Sequence, residues 1–293
     1  MPTLRDIRQR IGGVKSTEKI TKAMKMVAAA KMRRAQENIL QARPYAQKMS
    51  AILHHLATKV DVSQYPHFAQ REVRSVAIVI ITADRGLCGA FNSNVIKAAA
   101  NHIKTNYSSL YEQGKVSVIC VGKKGYEYFS KREYDIFSQH VGIFNSLQFS
   151  VAKTAAQELI EGFLTEKFDK VEIIFNEFKS AAQQKVVVEQ FLPIVPPTET
   201  QKHSSVDYIY EPSSAEIVSA LIPRHLNFQI WRMLLDSNAA EQSARMMAME
   251  NASSNAKELI RTLQLSYNKA RQASITKELL EIVGGAEALK QAS

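Results

Sequence analysis

The stretch LRDIRQRIGGVKSTEKITKAMKMVAAAKMRRAQENILQARPYAQKMSAILHHLA, residues 4–57, decides the fold, because its apolar side chains recur at alternating steps of three and four residues. This spacing predicts an α-helix that buries one stripe against a second helix in a left-handed supercoil. At about 1.5 Å per residue the helix would be roughly 80 Å long, more than a globular domain requires. Only Glu18, Thr21 and Lys25 interrupt the stripe. The apolar positions, which we call the N-terminal seam, are Leu4, Ile7, Ile11, Val14, Ala28, Met32, Ala35, Ile39, Ala42, Ala46, Met49, Leu53 and Leu56.

The C-terminal part of the chain predicts a second long helix, which follows a capping-box signature at Ser213-Ser-Ala-Glu216. Pro223 is expected to kink or break its first turns, whereas nothing interrupts the pattern from His225 until Gly284-Gly285. Its own seam slips by two residues near Met247, so more than one pairing register is open. We expect the two helices to pair antiparallel, with the longer C-terminal helix projecting beyond the pair. The C-terminal seam is Leu226, Ile230, Met233, Ala240, Ala244 and Met247, then Met249, Ala252, Ala256, Leu259, Leu263, Ala270 and Ala273.

Short apolar runs rich in β-branched residues alternate with helical patterns between the two long helices, which predicts an open, mainly parallel sheet. The predicted strands are 75–82, 116–122, 170–178 and 185–194, the last two as a hairpin, and the helices are 94–104, 123–132 and 149–164. The fold class is therefore α/β, with an antiparallel two-helix coiled coil and a central Rossmann-like α/β domain. The expected domains are the N-terminal helix 1–57, a linker 58–74, the Rossmann-like domain 75–205, and the C-terminal helix with a foot segment 206–293.

Composition limits the class of protein. The chain has 293 residues, and no run of about 18 apolar residues predicts a membrane span. The N-terminus lacks the apolar region of a secretory signal, and Cys88 and Cys120 have no metal-like spacing. A reduced cytosolic compartment fits these features best.

The net charge of +10 is concentrated near the N-terminus, where only Asp6 and Glu18 oppose the basic residues of the first 34 positions. Such a cluster is typical of a nucleic-acid surface, of a contact with an acidic protein, or of a solvated helix face. Lys19, Lys22, Lys25 and Lys31 have no acidic partner four residues further along the chain, which favours a binding partner. The basic residues are Arg5, Arg8, Arg10, Lys15, Lys19, Lys22, Lys25, Lys31, Arg33 and Arg34.

The glycine-containing turn TADRGLCGAFN, residues 82–92, follows a predicted strand and precedes a helix, as phosphate-binding turns do. The spacing of Gly86 and Gly89 matches neither a dinucleotide motif nor a P-loop, so we expect a tight turn and close packing. Asp84 and Arg85 are expected to pair with each other. His54-His55 lacks further ligands for a metal. The sequence offers no catalytic constellation and predicts no cofactor.

The stretch ARQASITKELLEIVGGAEAL, residues 270–289, resembles the C-terminal signature of the γ-subunit family of F-type ATP synthases. Residues 20–36, 82–92, 206–212 and 239–249 resemble further stretches of that family, so the resemblance covers the whole chain. The signature positions are Ile275, Thr276, Glu278, Glu281, Gly285 and Ala286.

The resemblance implies a rotor without chemistry of its own, whose helix pair stands inside a ring of three α and three β subunits. The sheet domain would sit against the ε subunit and the membrane c-ring, so the membrane contact is indirect and no nucleic acid is involved. The implied β-subunit and torque contacts are Lys22, Met24, Lys25, Arg245, Arg271 and Gln272. The implied apolar bearing tip is Leu279, Leu280, Ile282 and Val283. The implied foot against the c-ring and ε is Tyr208, Tyr210 and Glu211.

The same resemblance places the protein on the cytoplasmic face of a bacterial plasma membrane, with a mature mitochondrial chain as the alternative. Nothing in the sequence matches the cysteine-containing loop of the chloroplast type, so no thiol regulation is expected. Two other functions are open from the residues alone. One is an enzyme with a nucleotide at Gly86 to Asn92, and the other is a basic coiled coil that binds nucleic acid.

Overall fold

The computed structural model describes residues 3–57, 60–61, 64–180, 183–195, 211 and 213–291. Its α-helices are α1 (Leu4–Ala57), α2 (Phe91–Asn106), α3 (Ser108–Glu112), α4 (Lys123–Phe129), α5 (Phe149–Leu164) and α6 (Ser214–Gln291). Its strands are β1 (Val76–Ile81), β2 (Val116–Val121), β3 (Asp135–His140), β4 (Lys170–Phe178) and β5 (Gln184–Leu192). Short 3-10 turns lie at Pro66–Phe68 and Ile143–Asn145.

The strands form one sheet in the order β3-β2-β1-β4-β5. All pairings are parallel except that of β4 with β5, which is the predicted hairpin. The α/β class and the predicted sheet are therefore confirmed. Strand β3 was not predicted, because it is an edge strand whose side chains are all half-buried or exposed.

Strand β1 is buried along its whole length because both faces of the sheet are covered. Ala77, Val79 and Ile81 pack into a core with α5 and with Leu53 and Leu56 of α1. On the other face, Val76, Ile78 and Ile80 pack against α2 and against Phe129 of α4. This two-sided burial explains the continuous apolar run in the sequence.

The chain divides into two compact units, Met1–Val27 with Met246–Ser293 and Ala28–Arg245. In the second unit α1 and α6 pack directly, and the ring centroids of Tyr45 and Phe228 lie 4.8 Å apart. Ala35 and Ile39, earlier on α1, share a buried cluster with Leu235 and Ala239, later on α6. Residues later on α1 thus contact residues earlier on α6, which confirms the antiparallel pair.

The N-terminal seam is the buried stripe of α1, and every seam position is buried or half-buried. The stripe continues through the three polar positions, since Thr21 is 8% exposed and both Glu18 and Lys25 are half-buried. The buried stripe of α1 is therefore not interrupted at these three positions; only its side chains change there from apolar to polar.

The C-terminal seam was partly wrong. Met247 is 42% exposed and Leu259 is 39% exposed, and no two-residue slip occurs. The prediction followed apolar identity, whereas the geometry of the pair selects positions regardless of polarity. The buried or half-buried stripe of this part of α6 steps regularly through Gln242, Met246, Met249, Ser253, Ala256, Ile260, Leu263, Tyr267, Ala270 and Ser274.

The ends of α6 also differ from expectation. The capping box is present, because the Ser213 hydroxyl donates to Glu216 Oε1 (3.0 Å) and accepts from the Glu216 backbone N–H (3.3 Å). Pro223 does not break the helix. Ile222 and Leu226 on either side of it are buried in the sheet core, and this packing offsets the lost backbone hydrogen bond. Every side chain from Ile275 to Ala286 is exposed, as expected for an end that projects beyond its partner.

A buried carboxylate lies on α6 where this helix faces α1 and the β4–β5 hairpin. Asp236 is 4% exposed, and its Oδ1 has no hydrogen-bond partner in the described part of the chain. Its Oδ2 lies 3.7 Å from the Arg232 guanidinium, which also pairs with Glu189. Burial raises the pKa of Asp236 from its usual 3.8 to about 6, against the attraction of Arg232 and Arg43.

Replacing Asp236 with Asn should therefore stabilise the protein in a pH-dependent way. The folded state binds a proton more tightly than the unfolded state, so the native protein loses stability as pH rises from about 4 to about 6. The Asn variant lacks this loss and should gain about 1–3 kcal/mol on the native protein across that interval. Urea unfolding at a series of pH values measures the difference. A difference that stays constant from pH 4 to pH 7 would contradict the assignment.

Candidate functional site

The glycine-containing turn at the carboxyl edge of the sheet is organised by one carboxylate. Asp84 Oδ1 accepts hydrogen bonds from the backbone N–H groups of Lys123 (3.0 Å) and Gly142 (2.9 Å). Its Oδ2 accepts a longer one from the Phe144 N–H (3.4 Å). The chain segments that follow β1, β2 and β3 are thus tied to a single side chain. In dinucleotide-binding folds this edge holds a phosphate, whereas here a carboxylate of the chain occupies the backbone donors.

Close packing beside this turn comes from β1 and the β2–α4 connection. The Thr82 hydroxyl donates to the Val121 carbonyl (3.2 Å) and accepts from the Gly125 N–H (2.8 Å). Gly122 adopts φ +95°, and a Cβ there would lie 2.0 Å from the Thr82 carbonyl oxygen. The close approach that the sequence suggested for this region is therefore made by Gly122, outside the motif.

Two expectations for the turn itself were wrong. Asp84 does not pair with Arg85, because its oxygens accept from the backbone and Arg85 is exposed. Gly86 is not required by space, since a Cβ at that position would meet nothing within 4 Å. The left-handed conformations fall on Leu87 (φ 64°) and Gly89 (φ 58°), and Leu87 is 67% exposed.

Arg245 of α6 fixes this turn within its own chain. Its Nη1 donates to the Gly86 carbonyl (2.7 Å), and its Nε donates to Glu241 Oε1 (3.2 Å). A second guanidinium nitrogen forms an ion pair with the same carboxylate, and the Arg245 side chain is only 12% exposed. The structure therefore joins the turn at residues 82–92 to α6 at Arg245. Its predicted role at a partner surface stays a prediction.

The other predicted contacts on the long helices are more accessible. Lys22 is exposed and Met24 is half-buried. Lys25 forms an ion pair with Glu250 of α6. Sequence reasoning missed Glu250 because it searched for acidic partners four residues away on the same helix. Only the pairing of α1 with α6 brings this carboxylate to Lys25.

Residues further along α6 form a continuous exposed surface. Arg271 and Gln272 are exposed, and Leu279, Leu280, Ile282 and Val283 are between 57% and 68% exposed. Four large apolar side chains within five residues are unusual on a free surface. Of the predicted foot, Glu211 is exposed, whereas Tyr208 and Tyr210 lie outside the described residues.

Both thiols are buried. Burial raises the pKa of the Cys120 thiol to about 12, and burial, with the nearby charge of Glu241, raises that of Cys88. A raised pKa disfavours the thiolate, which is the reactive form. Among the described side chains, no group of three or more His, Cys, Asp or Glu could hold a metal ion. None of the helices in the described ranges has the length and apolar character to cross a membrane.

Comparison with known proteins gives consistent results. A model of the family described as ATP synthase matches residues 3–289. The ATP synthase gamma chain of Prosthecochloris aestuarii is 55% identical over 291 residues, covering 99% of both chains. That of Chlorobaculum tepidum is 53% identical over 292 residues, covering 99% of this chain and 100% of the other.

Solved structures match over most of the chain as well. A chain in the central stalk and c-ring structure of the Tetrahymena thermophila mitochondrial ATP synthase has a TM-score of 0.60 and 28% identity, over 80% of this chain and 99% of that one. A chain in the rotor structure of the Euglena gracilis mitochondrial ATP synthase has a TM-score of 0.63 and 23% identity, over 93% and 98%. The second match shows a shared fold.

Replacing Asp84 with Ala should destabilise the sheet domain by about 1–2 kcal/mol, because three backbone N–H groups lose their acceptor. Urea unfolding followed through Trp231, the single tryptophan, measures the effect. The matched control is Arg85→Ala at the next, exposed position, which should change stability by less than about 0.5 kcal/mol. If the two variants were equally stable, the Asp84 carboxylate would not organise the turn.

Proposed function

This chain belongs to the ATP synthase family, with the gamma chains, and from that premise we propose that it is the rotating central shaft of an F-type ATP synthase. Proton flow through the c-ring would turn the chain. Its asymmetric profile would then drive the catalytic sites on the β subunits through ATP synthesis or, in reverse, hydrolysis. The chain itself would be non-catalytic and would carry no cofactor.

The observation that carries this proposal is the apolar end of α6. Near the end of this 78-residue helix the side chains from Ile275 to Ala286 are exposed, and Leu279, Leu280, Ile282 and Val283 are all more than half exposed. Dispersion contacts between apolar surfaces are non-directional, so such a tip could turn inside an apolar sleeve without breaking specific bonds. A nucleic-acid-binding helix pair would have no use for it.

The partners of the proposed shaft are three α and three β subunits around the helix pair, with the ε subunit and the c-ring at the sheet domain. The similar structures, which are of a central stalk with its c-ring and of a rotor, support this arrangement. Lys22, Met24 and Lys25 would contact the β subunits at one level, and Arg271 and Gln272 at another. Tyr208, Tyr210 and Glu211 would form the foot against the c-ring and ε.

Arg245 remains one of the proposed β-subunit contacts, and its contacts within the chain indicate how it would act. Because it holds the Gly86 carbonyl, it would fix the turn that presents Arg85 and Leu87 to solvent. The basic residues of the first 34 positions would add long-range attraction to acidic partner surfaces, which salt weakens.

The proposed location is the cytoplasmic face of the bacterial plasma membrane, reached through the c-ring. The organisms of the similar gamma chains, Prosthecochloris aestuarii and Chlorobaculum tepidum, support a bacterial chain.

Co-purification tests the proposed function directly. A tagged copy of this chain, expressed with the α, β and ε subunits of its own genome, should elute as one complex that hydrolyses ATP. Calorimetry of the isolated chain with ATP should show no stoichiometric binding, because Asp84 occupies the donors at the sheet edge. A chain that elutes alone, or that binds ATP stoichiometrically, would contradict the proposal.

Replacing Ile282 and Val283 with Asp should abolish most ATP-driven proton pumping by membranes that carry the variant, because charges at the tip must then be buried against an apolar sleeve. Circular dichroism should show the helix and sheet content unchanged, since both positions are exposed.

The matched control exchanges the same two positions, Ile282→Val with Val283→Ile. It keeps the apolar surface and volume of the tip, and its pumping should equal that of the native protein. Full pumping by the Asp variant would show that an apolar tip is unnecessary.

A further inference from the structure

At one level of the helix pair, both helices place polar side chains in the buried stripe. Lys25 of α1 forms an ion pair with Glu250 of α6. Since the helices run antiparallel, Thr21, one turn back on α1, lies level with Ser253, one turn on along α6. Thr21 and Ser253 are each 8% exposed, as buried as the apolar side chains around them. We call these four residues the polar layer.

The polar layer lowers the hydrophobic stabilisation of the pair. Hydroxyls at two buried positions contribute less than the Leu or Ile that would fit the pattern. The Thr21 hydroxyl finds an acceptor on its own helix, the Glu18 carbonyl at 3.0 Å, so it costs no unpaired donor. Polar residues at single core positions of coiled coils commonly exchange stability for a defined register.

The surrounding seam defines the register only weakly. Apolar contacts are non-directional and recur every seven residues, so sliding one helix by a heptad, about 10 Å, restores similar contacts. The same slide replaces every contact within the polar layer. Such a slide would bring Lys25 level with Lys257 in one direction and with Ser243 in the other. The ion pair is lost in both cases, and two lysines meet in one of them.

We infer that Lys25 and Glu250, supported by Thr21 and Ser253, fix the axial register of α1 and α6 and are positioning residues for coupling. They thereby fix the position of one group of proposed β-subunit contacts relative to the other along the axis of the pair. The two groups are Lys22 and Met24 on α1, and Arg271 and Gln272 on α6. Between residues 3–27 and 246–286 no other ion pair joins the two helices. The importance of these axial positions for coupling rests on the proposed function, whereas the inference about the register does not.

The register is tested by charge exchange in the full-length chain. Lys25→Glu and Glu250→Lys each bring like charges together, so each should speed amide hydrogen exchange at residues 14–25 about three- to tenfold. The double variant Lys25→Glu with Glu250→Lys restores an ion pair and should restore native exchange. Folding should survive, because Tyr45 and Phe228 anchor the pair separately in the other compact unit.

The control is Lys277→Glu, which makes the same charge change on α6 at an exposed position whose partner, Glu281, lies on the same helix. It should leave the exchange of α1 unchanged. Unaltered exchange in both single variants, or a double variant that exchanges as fast as they do, would overturn the register role.

Coupling is tested in the assembled complex, in membrane vesicles, as protons pumped per ATP hydrolysed. Glu250→Lys, at a position outside the proposed β-subunit contacts, should lower this ratio about twofold or more while hydrolysis continues. A normal ratio in Glu250→Lys, with amide exchange accelerated, would overturn the positioning role and leave the register role standing. If no complex forms with the native chain, the proposed function fails while hydrogen exchange still decides the register.

Discussion

The packing of α1 along α6 through a stripe that recurs about every 3.5 residues is the interaction on which the rest of the structure depends. Neither helix could persist alone at this length, because long helices in proteins derive their stability mainly from burying one face. The sheet depends on the same pair. Leu53 and Leu56 of α1 and Ile222 and Leu226 of α6 close the core over one face of β1 and β4. The sheet core is therefore completed by the helices at both ends of the chain.

The carboxyl edge of the sheet is where a doubly wound fold usually binds a ligand. Here the backbone donors of that edge are satisfied by Asp84, and the adjacent turn is fastened to α6 by Arg245. The edge thus becomes a joint between the sheet and a long helix. A fold associated with nucleotide chemistry can serve mechanical attachment in this way, because the same converging N–H groups can donate to either a phosphate or a side-chain carboxylate.

Much of this architecture could be predicted from the sequence, because periodic burial leaves a periodic pattern. The N-terminal seam, the antiparallel pair, the hairpin and the capping box at Ser213 are confirmed. The errors share a cause: local patterns do not report partners from distant segments. Ser253 is buried in the stripe but is absent from the predicted seam because it is polar, and β3 lacks an apolar run because it lies at an edge. The residues that satisfy Asp84 and Lys25 come from distant parts of the chain, and the domain boundaries stay a prediction.

A rotating shaft must satisfy two opposite requirements, and the distribution of polarity along α6 addresses both. The helices of the pair must not slide on each other, which calls for directional contacts such as that of Lys25 with Glu250. The tip must slide against its surroundings, which calls for contacts without direction. An apolar tip that is more than half exposed costs solubility in the free chain, so a sleeve that covers it would remove this cost. At these two levels the usual arrangement of a helix bundle is reversed, because the polar layer lies within the pair and large apolar side chains are exposed at the tip. A shaft that turns under load requires both features.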